Sequence, residues 1–312
     1  MIIPVSKLLP FHFLIIFART VHLSNAYLNG VGLPLSQYNN VWHDTTTGRL
    51  VAAPTSLHST TGNSAESDVV TSDGISDLQQ IKRNLIDLCN RPSKPPREEV
   101  NRYARDLERL GEQIGVGQGS SYSGLMAGEW ELLYCPSDIT RTSPFFWAFR
   151  KAFPEKSNDI FAITDAIPAP LKEVGPATQT ITLDTSSSSA ELGNLISRVK
   201  VSTLGGLATS IMTTRATITG SEGVDGLKLR VDTTKPEDSS LLQKLGSFGE
   251  LLNEQAPPFP SGEALERVKR GSSEVIMITR YCDEAIRISR NADDIQDAFV
   301  WRRISFKGVS EV

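Results

Sequence analysis

The chain has 312 residues, 39% of them hydrophobic and 22% charged, an ordinary globular composition that sets aside collagen-like and wholly disordered classes. It carries 32 Lys and Arg against 36 Asp and Glu, and this mild acidity disfavours a phosphate-backbone partner, so nucleic acid is not expected. All four histidines (His12, His22, His43 and His58) lie near the N-terminus. If that segment is removed, the mature body has none, which excludes His-based zinc sites, Ser-His-Asp triads and Cys-His pairs. Cys89, Cys135 and Cys282 are odd in number and far apart, which argues for buried free thiols over a disulfide framework or a thiolate zinc site. No metal, cofactor or catalytic residue is assigned on this basis, although a Lys, Tyr or carboxylate remains available for acid–base work.

At the N-terminus, Lys7 precedes an apolar run from Leu8 to Ala18 that is too short to span a membrane as a stable helix. Ser24-Asn25-Ala26 then offers small residues at the −3 and −1 positions of a cleavage site, so residues 1–26 read as a signal peptide. Residues 27–65 are rich in Ser and Thr with Asp44 as their only acid, a transit peptide-like, disordered composition. The two segments together, with Tyr27 right after the cut, resemble the two-part presequences of algae with secondary plastids, which route proteins through the ER to the plastid (chloroplast). A secreted protein with a disordered N-terminal stretch is the rival, but the missing disulfide pattern speaks against it. Beyond this region no apolar stretch of about 18 residues occurs, so no transmembrane segment is expected in the mature chain.

The body opens with helical periodicity. Ile75, Leu78, Ile81, Leu85 and Leu88 recur at helical spacing, with Ser76 and Gln79 placed like a capping box. Arg91 to Pro96 breaks the chain, and Val100, Tyr103, Leu107, Leu110 and Ile114 resume the period behind the acidic Glu98-Glu99. A helical hairpin follows from this pattern. From Gly128 the chain reads as strands: Glu129–Tyr134, Ile160–Thr164, Thr178–Leu183, Leu195–Thr203, Thr209–Thr219, then Leu227, Leu229 and Val231 in alternation, and Glu274–Tyr281, Ala285–Arg290 and Ala298–Ile304. Strands in succession with turn signals between them predict a mainly β, antiparallel barrel or sandwich. Leu241 to Leu252 gives one helical insertion, either a lid or membrane-facing helix or a helix packed across a barrel end.

Gly128-Glu129-Trp130 on the first strand is similar to the G-x-W of lipocalins, in which an arginine of the last strand lies over that tryptophan; Arg302 and Arg303 are the two candidates here. A fuller match covers residues 75–305. It is carried by Gly128-Glu129-Trp130-Glu131-Leu132-Leu133-Tyr134, by Thr178-Gln179-Thr180-Ile181, and by Tyr281-Cys282-Asp283-Glu284-Ala285-Ile286-Arg287-Ile288-Ser289-Arg290 followed by Phe299-Val300. These segments resemble the plastid lipid-associated proteins, or fibrillins. The chain departs from that pattern at Cys282, where the family usually has Leu, and at Asn291, where it usually has Gly. The resemblance implies a lipocalin-like β-barrel at plastoglobules or thylakoids that binds hydrophobic molecules such as carotenoids, quinones or fatty acids. Residues 306–312 form a C-terminal tail.

Two clusters are candidate sites. Trp130, Tyr134 and the aromatic run Phe145, Phe146 and Trp147 supply apolar area for a ligand wall, or anchor a short helix on the barrel. Asp283, Arg287, Arg290, Arg302 and Arg303 close the barrel or anchor an anion. Arg287 and Ser289 share one strand face and Ile286, Ile288 and Arg290 the other, so if the isoleucines face inward Arg290 does too. An inward Arg needs a carboxylate, from a ligand or from the chain itself, for example Asp283. Besides a carrier of an isoprenoid or acyl lipid, the sequence admits a barrel isomerase or cyclase using Tyr134, Tyr281, Asp283 or a lysine, and a scaffold for plastid biosynthetic enzymes.

Overall fold

Leu78, Leu85 and Leu88 build the apolar stripe of helix α1 (Ser72–Cys89), and all three are buried. The stripe begins at Leu78; Ile75, expected on it, is 44% exposed, and Ser76 lies inside the helix instead of capping it. Helix α2 (Arg97–Ile114) buries Val100, Ala104 and Leu107, carries Glu98 and Glu99 in its first turn, and ends at Gly115 in the left-handed conformation. The two helices pack as the hairpin that the sequence predicts. Each buried leucine contributes roughly 1.5–3 kcal/mol, so this face alone holds the hairpin down. The computed structural model describes residues 72–117, 125–165, 172–184, 192–203, 206, 208–244, 246 and 257–305. The signal- and transit-like segments and the C-terminal tail lie outside the described residues.

Eight strands follow: β1 (Gly128–Tyr134), β2 (Lys172–Leu183), β3 (Gly193–Thr203), β4 (Ala208–Glu222), β5 (Gly226–Glu237), β6 (Glu274–Cys282), β7 (Ile286–Asn291) and β8 (Asp294–Ser305). Each pairs antiparallel with its neighbours in sequence, and β1 pairs β8, so the sheet closes on itself as a barrel. The closing register sets Trp130 opposite Arg303 and Leu132 opposite Trp301. Between β1 and β2 lie a 3-10 turn (Ile139–Thr142) and helices α3 (Pro144–Ala152) and α4 (Ser157–Asp165); α5 (Ser240–Gln243) and α6 (Ser261–Val268) lie between β5 and β6. Among the described residues no helix is long and apolar enough to cross a membrane.

Two apolar clusters divide the molecule. The first fills the barrel with Trp130, Ile181, Leu195, Ala216, Ile218, Leu229, Met277, Phe299 and Trp301, and includes Phe145, Trp147 and Phe149 of α3. The second lies between the hairpin and the outer faces of β1 and β6–β8, where Tyr134, Tyr281, Ile286, Ile288, Ala298 and Val300 meet Leu85, Leu88 and Leu107. Behind α2 the chain passes so close to Tyr281 that a Cβ on Gly117 would lie 2.5 Å from the ring, at a φ of +72°. Gly262 of α6 is equally constrained, since its Cβ would fall 1.9 Å from the carbonyl oxygen of Val231.

Most strand assignments survive, and Leu227, Leu229 and Val231 point inward as their alternation predicts. Ile160–Thr164 does not form a strand: it belongs to α4, which stacks Phe161 against Phe146 and Phe149 at ring distances of 5.9 Å. A short apolar run does not separate strand from helix by periodicity, and tertiary packing decided it. Of the predicted helix over Leu241 to Leu252, α5 is the helical part that is described; the remainder lies largely outside the described residues. Helix α6 was not expected.

Candidate ligand site: the barrel interior around Arg287

Trp130 is fully buried on the inner face of β1, its indole Nε1 donating to the Met126 carbonyl at 2.9 Å. The guanidinium of Arg303 lies 4.0 Å from the ring centroid, and its nitrogens donate to the carbonyls of Ala127 (2.6 Å), Glu284 (2.9 Å) and Leu125. This arginine, of the two candidates, ties β8 to the segment entering β1. Arg302 points outward to Glu131 at 2.5 Å with about half its side chain in solvent. A register shift at Glu129/Trp130 places Arg303 against the tryptophan. Exposed ion pairs contribute little, so Arg302→Ala is expected to change stability by less than about 0.5 kcal/mol. Arg303→Ala is expected to cost roughly 2–4 kcal/mol, from the lost cation–π contact and the lost hydrogen bonds to backbone carbonyls. Urea denaturation of the two variants checks the contrast, and equal midpoints would contradict the assignment of Arg303 as the closing residue.

Arg287 is enclosed in the interior. It is 0% exposed, directly opposite Trp301 in the β7–β8 ladder, and its guanidinium lies 4.9 Å from the Trp301 ring and 5.1 Å from the Trp130 ring. Nη2 donates to Gln179 Oε1 at 2.5 Å, while Nε and Nη1 have no acceptor among the described residues. Among the described residues no Asp or Glu pairs with it. Burial pushes the guanidinium down to about 9, an effect that Cys282 opposes and Arg303 reinforces, so it remains a cation at neutral pH.

Polar side chains from neighbouring strands form a row at this level. Gln179 Nε2 donates to the Thr142 carbonyl at 3.3 Å. Ser197 stands opposite Gln179 in the β2–β3 ladder, is buried, and has no partner for its hydroxyl. Thr214 stands opposite Ser197 and accepts from Ser143 Oγ at 2.9 Å, at the start of α3. Trp301 Nε1 donates to Ser289 Oγ at 2.9 Å. Gln179, Ser197 and Trp301 are not among the site residues expected from the sequence; Gln179 alternating with the apolar Ala177 and Ile181 is the one signal for them.

The structure corrects the premise about β7. Ile286 and Ile288 face the helical hairpin, not the interior, and Arg290 goes with them. Arg290 donates to Glu108 Oε1 through Nη2 at 2.8 Å and Nε at 3.1 Å, and through Nη1 to the carbonyls of Ile295 and Gln296. Its carboxylate is therefore Glu108, not Asp283. Asp283 accepts from Lys82 Nζ and Tyr281 hydroxyl, both at 2.8 Å, and from the backbone N–H groups of Ala285 and Ile286. Burial would raise this carboxyl, but the hydrogen bonds, led by Lys82, outweigh it and hold it below the usual carboxylate range.

Tyr134 also belongs to the hairpin side; burial pushes its phenol up to about 12, and its hydroxyl has no partner. Phe145 and Trp147 enter the interior cluster, with Trp147 stacked 5.8 Å from Phe299 and donating from Nε1 to the Arg141 carbonyl. Phe146 is half-buried against Phe145 and Phe161. The aromatic run thus packs a helix against the barrel and also contributes to the inner wall. Tyr134, Tyr281 and Asp283 lie behind the strands, away from Arg287, and do not converge on the interior. Cys282 faces inward, its thiol pushed up to about 11 by burial. No family model, no curated protein and no solved structure matches the chain.

Proposed function

We propose that the protein is a lipocalin-like carrier of a hydrophobic small molecule, an isoprenoid or acyl lipid, and that it acts as a plastid lipid-associated protein of the fibrillin type at plastoglobules or thylakoids. The observation that carries this reading is Arg303 stacked 4.0 Å over Trp130 at the seam of a closed eight-stranded sheet. The motif-based resemblance implies that contact, and a barrel of eight strands is of a size that holds one small ligand. An apolar chain in such an interior gains about 0.8 kcal/mol per buried methylene, so selectivity needs few polar contacts. A barrel isomerase or cyclase would need two titratable groups meeting inside. The position of Tyr134, Tyr281 and Asp283 on the hairpin side favours the carrier over that alternative.

Mass spectrometry of lipids extracted from the natively purified protein tests the reading. Enrichment of an isoprenoid or acyl lipid over a control protein of similar size is the expected result, and lipid at control level overturns it. The plastid address rests on residues 1–65 alone. A fluorescent reporter fused behind them in an alga with a secondary plastid is expected to enter that organelle; secretion would refute the address.

A further inference from the structure

We propose that Arg287 anchors the carboxylate of a long-chain acyl ligand inside the barrel, an inference that rests on the carrier reading and narrows its ligand class. A buried cation without a counter-anion is strongly disfavoured unless something neutralises it. Arg290, on the opposite face of β7, illustrates the usual remedy, an internal carboxylate from Glu108. Among the described residues Arg287 has no such partner and keeps two tryptophan faces and one neutral amide. Its Nε and Nη1 are donors awaiting an acceptor, and the nearby Ser197 hydroxyl is a further buried polar atom without one.

The chemistry of the acceptor follows from these surroundings. The rings of Trp130 and Trp301 both lie within about 5 Å of the guanidinium, which favours an acceptor arriving at the edge of the fork, where its N–H groups point. A planar carboxylate matches that fork with two oxygens. The second cation on the Trp130 ring, Arg303, directs its N–H groups to backbone carbonyls, so Arg287 alone offers donors to a ligand, and a singly charged head suits it better than a phosphate dianion. The row that carries Arg287, Gln179 and Ser197 adjoins the apolar side chains of Ile181, Leu195, Leu229 and Met277, which are packed together in this structure and part to admit an alkyl tail if the ligand binds here.

Binding of hexadecanoate and of hexadecanol to the full protein, read from quenching or shift of the tryptophan fluorescence, separates the anchor from the carrier. Wild type is expected to bind hexadecanoate at least tenfold more tightly than hexadecanol. Arg287→Met is expected to lose at least tenfold in hexadecanoate affinity and far less in hexadecanol affinity, so that the preference for the acid collapses. If wild type binds both probes alike, or if Arg287→Met binds hexadecanoate as wild type does, the anchor is refuted while the carrier reading stands. If wild type binds neither probe, both the anchor and the acyl-carrier reading fail. A measurement on wild type covers the case in which the variant does not fold. The carboxyl carbon of labelled hexadecanoate, followed by NMR through a pH titration of the complex, is expected to titrate well below a free carboxylic acid. Titration at or above the free value overturns the anchor.

Discussion

Glu108→Ala is expected to cost the fold about 3–5 kcal/mol, seen as a large fall in the urea midpoint with little change in slope. The reason lies in what remains behind. Arg290 and Glu108 are both nearly inaccessible, and the carboxylate accepts two of the guanidinium's hydrogen bonds across the seam between α2 and β7. Burial raises the Glu108 carboxyl by more than Arg290 lowers it, so the pair is held together at the expense of desolvation. Removing the acid leaves a buried cation with only the carbonyls of Ile295 and Gln296. Replacing both partners, as Glu108→Leu with Arg290→Met, removes the stranded charge and is expected to restore most of the loss. A single variant no less stable than wild type would mean that the hairpin is not docked through this pair.

Where alternation met one apolar face and one wet face, the sequence was readable. Lys228 and Arg230 mark the outside of β5 as plainly as Leu227 and Leu229 mark its inside. On β7 that logic fails, because the interior covers one face and the hairpin the other, and all six residues are buried. The isoleucines then identify an apolar surface without saying which of two it is, and the wrong choice exchanges Arg287 for Arg290. The choice between Arg302 and Arg303 turned on a bulge, which adds a residue to one strand and re-aims its side chains. Gln179 and Ser197 were hidden for a different reason. Each is a single polar residue on an otherwise apolar face, Gln179 between Ala177 and Ile181 and Ser197 between Leu195 and Val199, and one such interruption does not by itself mark a site. The helices were legible as stripes of leucine, yet their docking partners, Lys82 to Asp283 and Glu108 to Arg290, join positions far apart in sequence that only the closed sheet brings together.

Trp130→Ala is expected to lose roughly 3–5 kcal/mol from the cavity alone, with a further loss because two guanidinium groups share the ring. Without the indole, Arg303 keeps its carbonyl partners but loses its stacking face, and Arg287 retains one tryptophan where it had two. Trp130→Phe preserves an aromatic face and is expected to recover more than half of the loss, even though the hydrogen bond to Met126 disappears. The shared ring also fixes how the variants combine. Trp130→Ala and Arg303→Ala remove the same contact, so their costs are expected to fall short of additive by about 1 kcal/mol or more in a double-mutant cycle. A coupling near zero would show that the stacked arginine contributes nothing beyond its hydrogen bonds, and the seam between β1 and β8 would then rest on the backbone ladder and on Trp301 packed behind it.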